Sequence, residues 1–189
     1  MLGWTTTTTL VDVKGFYDHI DLLKLAEYAK GWQFPPQIMA MSIQTDLAPR
    51  LLHMSGWVAD RPCWPRRSAL TGERHGNHKA RLLLYDTLSA IHRGLPRLGL
   101  GQWVDDIHLQ AIGTLRTAAA DTWHGIVLLR GRLAADRLVM ATKTKIVSNN
   151  MHVAKFISLC LRRVGIEVKA DRQGQTWALA LLQGGAGPG

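Results

Sequence analysis

The sequence predicts an α/β (α+β) domain, a mostly antiparallel sheet with helices packed on one face. Three observations predict it. Residues 5–13 are rich in Thr and Val and alternate like a strand. Two short apolar runs within 98–112 flank an acidic pair, like a hairpin with acids at its tip. The segments between and after these carry apolar residues at three- and four-residue spacing, as helices do. A sheet fed by helical crossovers buries one face under those helices.

The first strand, 5–13, sets Leu10 and Asp12 on one face and Val11 and Val13 on the other. Its threonine run, Thr5 to Thr9, reads also as a low-complexity edge, but the apolar stretch directly after it favours a strand. A buried strand this close to the first residue points to missing upstream sequence. A helix follows over 21–30, with Leu22, Leu25, Ala26 and Ala29 inward and Gly31 as its stop. Pro35-Pro36 breaks the chain and starts a second helix, since proline suits a first turn; Ile38, Met41, Leu47 and Leu51 are its expected inner residues. Residues 55–76 are the least regular, a loop or ragged hairpin with a basic surface. Asn77 is the expected N-cap of a helix over 78–93, with Ala80, Leu83, Leu84, Leu88 and Ile91 inward and Gly94 and Pro96 ending it.

After the 98–112 hairpin, Thr114 caps a long helix to about residue 135, with Gly125 and Gly131 as weak points. Strands are expected at 138–141 and 146–147, around Lys143-Thr144-Lys145. Asn150 caps a last helix over 151–164, Gly165 stops it, and 166–168 form one more strand. Residues 1–170 thus form the one domain. Residues 171–189, Gly-rich at their end, are an irregular and disordered tail.

Composition bounds the function. The chain has 189 residues, 47% hydrophobic and 20% charged, which suits a globular domain. No apolar run approaches the roughly 18 residues of a membrane span, and the start lacks a signal peptide's basic and apolar regions. Two cysteines, Cys63 and Cys160, make no disulfide framework and read as intracellular thiols. A net charge of +9 points to a polyanionic partner, with plain solubility as the alternative.

Two constellations carry chemistry. The first is Asp12-Val13-Lys14-Gly15-Phe16-Tyr17-Asp18-His19-Ile20: an acid at a strand end, a Gly turn, then an aromatic pair. A strand-to-helix turn with Asp18 or Asp21 as cap explains it equally well. The second is Trp103-Val104-Asp105-Asp106. Adjacent acids repel, and with no Gly to make this a routine turn, a metal ion accounts for the pair as well as a solvated turn does. Taken together they are stronger. If the strands are neighbours, Asp12 and Asp105 hold Mg²⁺ through hard oxygens, and two such ions about 4 Å apart clamp a phosphoryl transfer. Arg61, Arg66, Arg67, Arg74, Lys79 and Arg81 crowd one region with Trp57 and Trp64 between them, as on a nucleic-acid track or a solvated face. His75 and His78 are spaced as a ligand pair, but no Cys completes a zinc site.

Residues 12–20 resemble the first palm motif of reverse transcriptases, above all the group II intron and non-LTR retroelement branch. Trp103-Val104-Asp105-Asp106 resembles their aromatic-x-Asp-Asp box. Residues 138–147, with Lys143-Thr144, resemble the lysine motif that follows, and Gly165-Ile166 falls where that family often has Gly-Ile. Residues 72–85 sit where its second palm motif belongs. The set covers about residues 8–168, and it is the order and spacing that make it specific.

The resemblance implies an RNA-directed DNA polymerase palm that uses two Mg²⁺ ions, or Mn²⁺, with an RNA template, a DNA or RNA primer and deoxynucleoside triphosphates. Asp12 and Asp105 match the metal-binding aspartates, Asp106 the second acid, and Val13 a backbone-carbonyl ligand. Tyr17 matches the gate against a ribose 2′-hydroxyl, with Phe16 packed beneath. Gly72 matches the glycine that supports the nucleotide, and Lys143 a lysine near the leaving pyrophosphate. The chain departs from the family at Gly72, flanked by Thr71 and Glu73 instead of Pro or Gln, and at Trp103, where Tyr or Phe is usual. Sequence matching fingers or thumb is absent, so the reading is a palm fragment. Two alternatives stand beside it: an inactive remnant that binds nucleic acid through its basic surface, and another palm-type transferase such as a nucleotide cyclase.

Overall fold

Five strands form one sheet in the order β4-β5-β1-β6-β7, and β1 (Thr5–Val11) lies at its centre. The computed structural model describes residues 4–65, 67–70 and 75–172. β1 pairs antiparallel with β5 (Asp106–Gly113), from Thr5 opposite Gly113 to Val11 opposite Ile107. On its other side it pairs antiparallel with β6 (Lys145–Ser148). β4 (Gly99–Trp103) is the edge strand beyond β5, and β7 (Lys169–Arg172) adds parallel to β6. The fold is mixed α/β, a five-stranded, mostly antiparallel sheet with helices packed against it.

Alternation explains the layers. Thr5, Thr7, Thr9 and Val11 are buried, as are their partners Ala111, Leu109 and Ile107 on β5. The residues between them, Thr6, Thr8 and Leu10, and opposite them Ile112, Gln110 and His108, keep contact with solvent. The buried side lies against α5 (Leu115–Ala135) and α6 (Met151–Arg163), and the Thr7 and Thr122 hydroxyls meet there at 2.5 Å. α1 (Phe16–His19) is a single turn after β1. α2 (Leu22–Gly31) packs on both α3 (Pro36–Leu47) and α4 (Gly76–Gly94). β2 (His53–Met54) and β3 (Trp57–Val58) form a separate small hairpin. Its two-residue turn has Ser55 at φ 49° and Gly56 at φ 87°, the left-handed pair that matches strand twist.

Several boundaries differ from the sequence reading. β1 stops at Val11, and beyond it only Val13 makes a bridge, to Met140. That bridge is all that forms of the strand expected at 138–141, because the chain has just turned through Arg137 at φ 60°. α3 has the expected start, but its inward face is displaced by one residue. Met39, Ser42 and Asp46 are buried, whereas Ile38, Met41, Leu47 and Leu51 are exposed. The cause is Asp46, which is drawn inside by a fully buried ion pair with Lys79 of α4. α4 also starts earlier than expected: its cap is His75, whose carbonyl accepts the Lys79 backbone N–H at 3.0 Å, and Asn77 lies within the first turn.

Gly125 is a contact point: a Cβ there would lie 2.5 Å from Leu98 Cδ2, so α5 crosses the start of the hairpin at that glycine. At the C-terminal end, Gly165 at φ 72° ends α6. Ile166 and Val168 are buried there without pairing, and the strand begins only at Lys169. Cys63 and Cys160 are free thiols. Of the irregular tail expected from 171, Asp171 and Arg172 instead pair in β7; residues 173–189 lie outside the described residues. Among those described, no helix is long and apolar enough to cross a membrane.

Candidate functional site

The end of β1 is held in place by the segment after α5. Asp12 O accepts the Ala141 N–H at 2.8 Å, and Lys14 N donates to Val139 O at 2.8 Å. Gly15 then takes a left-handed φ of 54° to start α1, and a Cβ there would come 3.1 Å from the His19 ring. This tight turn buries Phe16 and leaves Tyr17 half-buried, the two rings meeting edge to face at 5.3 Å. Tyr17 O accepts the Ala69 N–H at 2.9 Å, which ties the turn to the irregular segment before α4.

The acidic hairpin reaches the same place by register. One step beyond the Val11–Ile107 pair, Asp12 comes beside Asp106. Asp106 pairs with Trp103 at the foot of the two-residue turn Val104-Asp105. Val104 sits at φ 57°, a conformation that a β-branched residue rarely adopts and that marks local strain. Gln102 supports it by donating to Val104 O at 2.7 Å. Asp12, Val13, Phe16, Tyr17, Asp105 and Lys143 line one cavity of about 740 Å³.

Charge at this site is out of balance. Partial desolvation first, then the negative charges of Asp105 and Asp12, push the Asp106 carboxyl above its ordinary value, and Lys143 opposes them. Lys143 Nζ contacts Asp12 Oδ2 at 3.1 Å, though the lysine is mostly exposed. Hard carboxylate oxygens under mutual repulsion suit a divalent cation. Yet among the described residues no three His, Cys, Asp or Glu side chains converge into a metal cluster as they stand, and the ammonium of Lys143 is what meets Asp12.

The other expected site residues divide. Gly72, Arg66 and Arg74 lie outside the described residues, as do Thr71 and Glu73. Arg61 and Arg67 are exposed, beside exposed Trp57 and Trp64, in keeping with a basic surface there. Lys79 does not belong to that surface: it is 1% exposed and bonded to Asp46. Arg81 is exposed, but it lines a different groove together with His92, Arg93 and Arg97. Those three were missed by the sequence reading, although Arg81, Tyr85 and His92 recur at helical spacing, a signal that would have found His92. No protein-family model matches the chain, and no curated protein matches it significantly.

Proposed function

We propose that the chain is the palm of a reverse transcriptase of the non-LTR or group II intron-like kind, without fingers or thumb, and that its chemistry is RNA-templated nucleotidyl transfer. The observation that carries the proposal is that Asp12 and Asp105 line one cavity with Tyr17 and Lys143, with Asp106 close enough for both acids to raise its carboxyl. Asp12, Asp105, Asp106 and the Val13 carbonyl would hold two Mg²⁺ ions, or Mn²⁺. Bound there, the ions supply charge stabilisation to the attacking and leaving oxygens of a phosphoryl transfer.

The protein's own residues have separate tasks. Phe16, buried under Tyr17, fixes the tyrosine ring at the cavity wall, where it excludes a ribose 2′-hydroxyl by contact. Lys143 has an exposed ammonium in contact with Asp12, suited to give charge or a proton to departing pyrophosphate. Arg61 and Arg67 offer phosphate contacts to the RNA template or to a DNA or RNA primer. The substrates are deoxynucleoside triphosphates.

A second reading has its own observation. The Lys143–Asp12 pair already neutralises one of the acids, as expected of an inactive remnant that only binds nucleic acid. Primer extension on an RNA template with Mg²⁺ and deoxynucleotides separates the two. Synthesis by the wild-type chain that Asp105→Ala abolishes supports the polymerase. Salt-sensitive binding without synthesis, unchanged in Asp105→Asn, refutes it in favour of the remnant.

A further inference from the structure

A second groove runs along α4, on the side away from the sheet's centre. Arg81, Tyr85, His92 and Arg93 lie on one face of that helix and are exposed. Facing them is β4, an edge strand of the sheet among the described residues. Between the two lies a cavity of about 900 Å³, lined also by Arg97 and, among the described residues, by no Asp or Glu. Of the nearby acids, Asp86 is exposed beside Tyr85 on α4, and Asp121 pairs with one of the groove's own cations, Arg97, at 3.1 Å.

The groove has two characters along its length. α4 and β4 are joined only by residues 95–98, so they run back to back, with Gln102 toward the Arg81 end. There Tyr85 meets Trp32 edge-on, centroids 4.2 Å apart, and both rings are about half exposed. Gln102 in turn bonds to Val104 inside the acidic hairpin. The other end carries the basic residues His92, Arg93 and Arg97 beside Leu88, Ser89 and Pro96. Arg81 and Arg93 are about 18 Å apart along the helix axis, at 1.5 Å per residue.

We propose that this groove binds single-stranded nucleic acid, with phosphates on Arg81, Arg93 and Arg97 and a base stacked on Tyr85 or Trp32. Cations in excess of acids select a polyanion, and exposed aromatic faces beside them select one that carries bases. The inference deepens the polymerase reading by giving the strand a path to the acidic hairpin. It is tested by binding alone, so it fails or stands apart from catalysis.

The test uses the full chain and fluorescence anisotropy with labelled oligo-U and oligo-dT of about 16 residues. The double variant Arg81→Glu/Arg93→Glu should bind at least about tenfold more weakly. Its plot of log affinity against log salt should flatten by about 1.4, roughly 0.7 for each lost single-strand phosphate contact. Tyr85→Ala should bind about fivefold more weakly. Lys155→Glu/Arg162→Glu makes the same change in net charge on the exposed face of α6 and should bind like wild type. Unaltered melting temperatures show that the variants fold. Three results would overturn the proposal: wild-type affinity and salt slope in Arg81→Glu/Arg93→Glu, equal losses in both double variants, or displacement of the oligonucleotide by poly-Glu peptide at equal charge concentration. If Arg81→Glu/Arg93→Glu loses binding in a chain that makes no DNA, only the polymerase reading falls.

Discussion

Lys79 and Asp46 join α4 to α3 through an ion pair with both side chains at or below 1% exposure. Asp46 Oδ1 also accepts the Leu70 N–H at 2.8 Å, and Asp46 O accepts from Arg50 Nη2 at 2.8 Å. Lys79→Met leaves the Asp46 charge buried without its cation, which costs about 3–5 kcal/mol. That is a large part of a typical total of about 5–15 kcal/mol. At about 2–4 °C per kcal/mol for a chain of this size, it lowers the melting temperature by roughly 6–20 °C. Asp46→Asn/Lys79→Met removes both charges and keeps an oxygen for Leu70, so the double variant should be more stable than Lys79→Met alone. The assay is urea unfolding of wild type, both singles and the double, taken as a double-mutant cycle. A Lys79→Met loss under about 1 kcal/mol, or single losses that simply add, would refute the buried-charge reasoning.

Two further predictions concern the hairpin. The folded-state value of Asp106 is raised above 3.8, so the folded chain keeps a proton there at pH values where the unfolded chain has lost it. Stability therefore falls as the pH rises from 3.8 through the folded value, and is flat above it. Asp106→Asn should melt above wild type at pH 7 and lose that advantage below pH 3.8; an unchanged or lower melting temperature at pH 7 contradicts the coupling. In Gly101→Ala, the new Cβ would lie 1.9 Å from His108 Cε1, because that imidazole lies across the glycine. The variant should lose about 1–3 kcal/mol in urea unfolding, and His108→Ala in the same chain should restore most of it. Equal losses with and without His108 would place the strain elsewhere.

Features decided by neighbouring residues were legible in the sequence. Asp21 accepts from Leu23 N and Lys24 N, Thr114 from Thr117 N, and Asn150 from His152 N, so these caps act within three residues of their own helices. Gly165 marks the end of α6 for an equally local reason, its left-handed φ. The meeting of Asp12 with the acidic hairpin was legible only as a condition, that their strands be neighbours; the pairing of Val11 with Ile107 supplies that neighbourhood. What could not be read depends on distant partners. The inward face of α3 carries Asp46, whose cation lies 33 positions later, so apolar spacing alone chose the wrong residues. Lys79 looked like a surface cation for the same reason. The contact of Lys143 with Asp12 depends on a side-chain position that no motif encodes.

The central place of β1 has a consequence for synthesis. This strand is made first, yet its partners lie at 107–113 and 145–148. Closing such long loops changes stability little, since each doubling of length adds only about 0.6 kcal/mol. It does delay folding, because non-local pairing is slow and the partners must first exist. At about 5–20 residues per second, a nascent chain waits on the order of ten seconds before β6 is made. Until β5 is made both edges of β1 are open, and the edge that β6 covers stays open longer. A strand of Val and Ile in that position would be a template for aggregation. Five consecutive threonines keep strong strand preference while carrying hydroxyls that water can solvate, and they suit a strand that must stay unpaired until the rest of its sheet arrives.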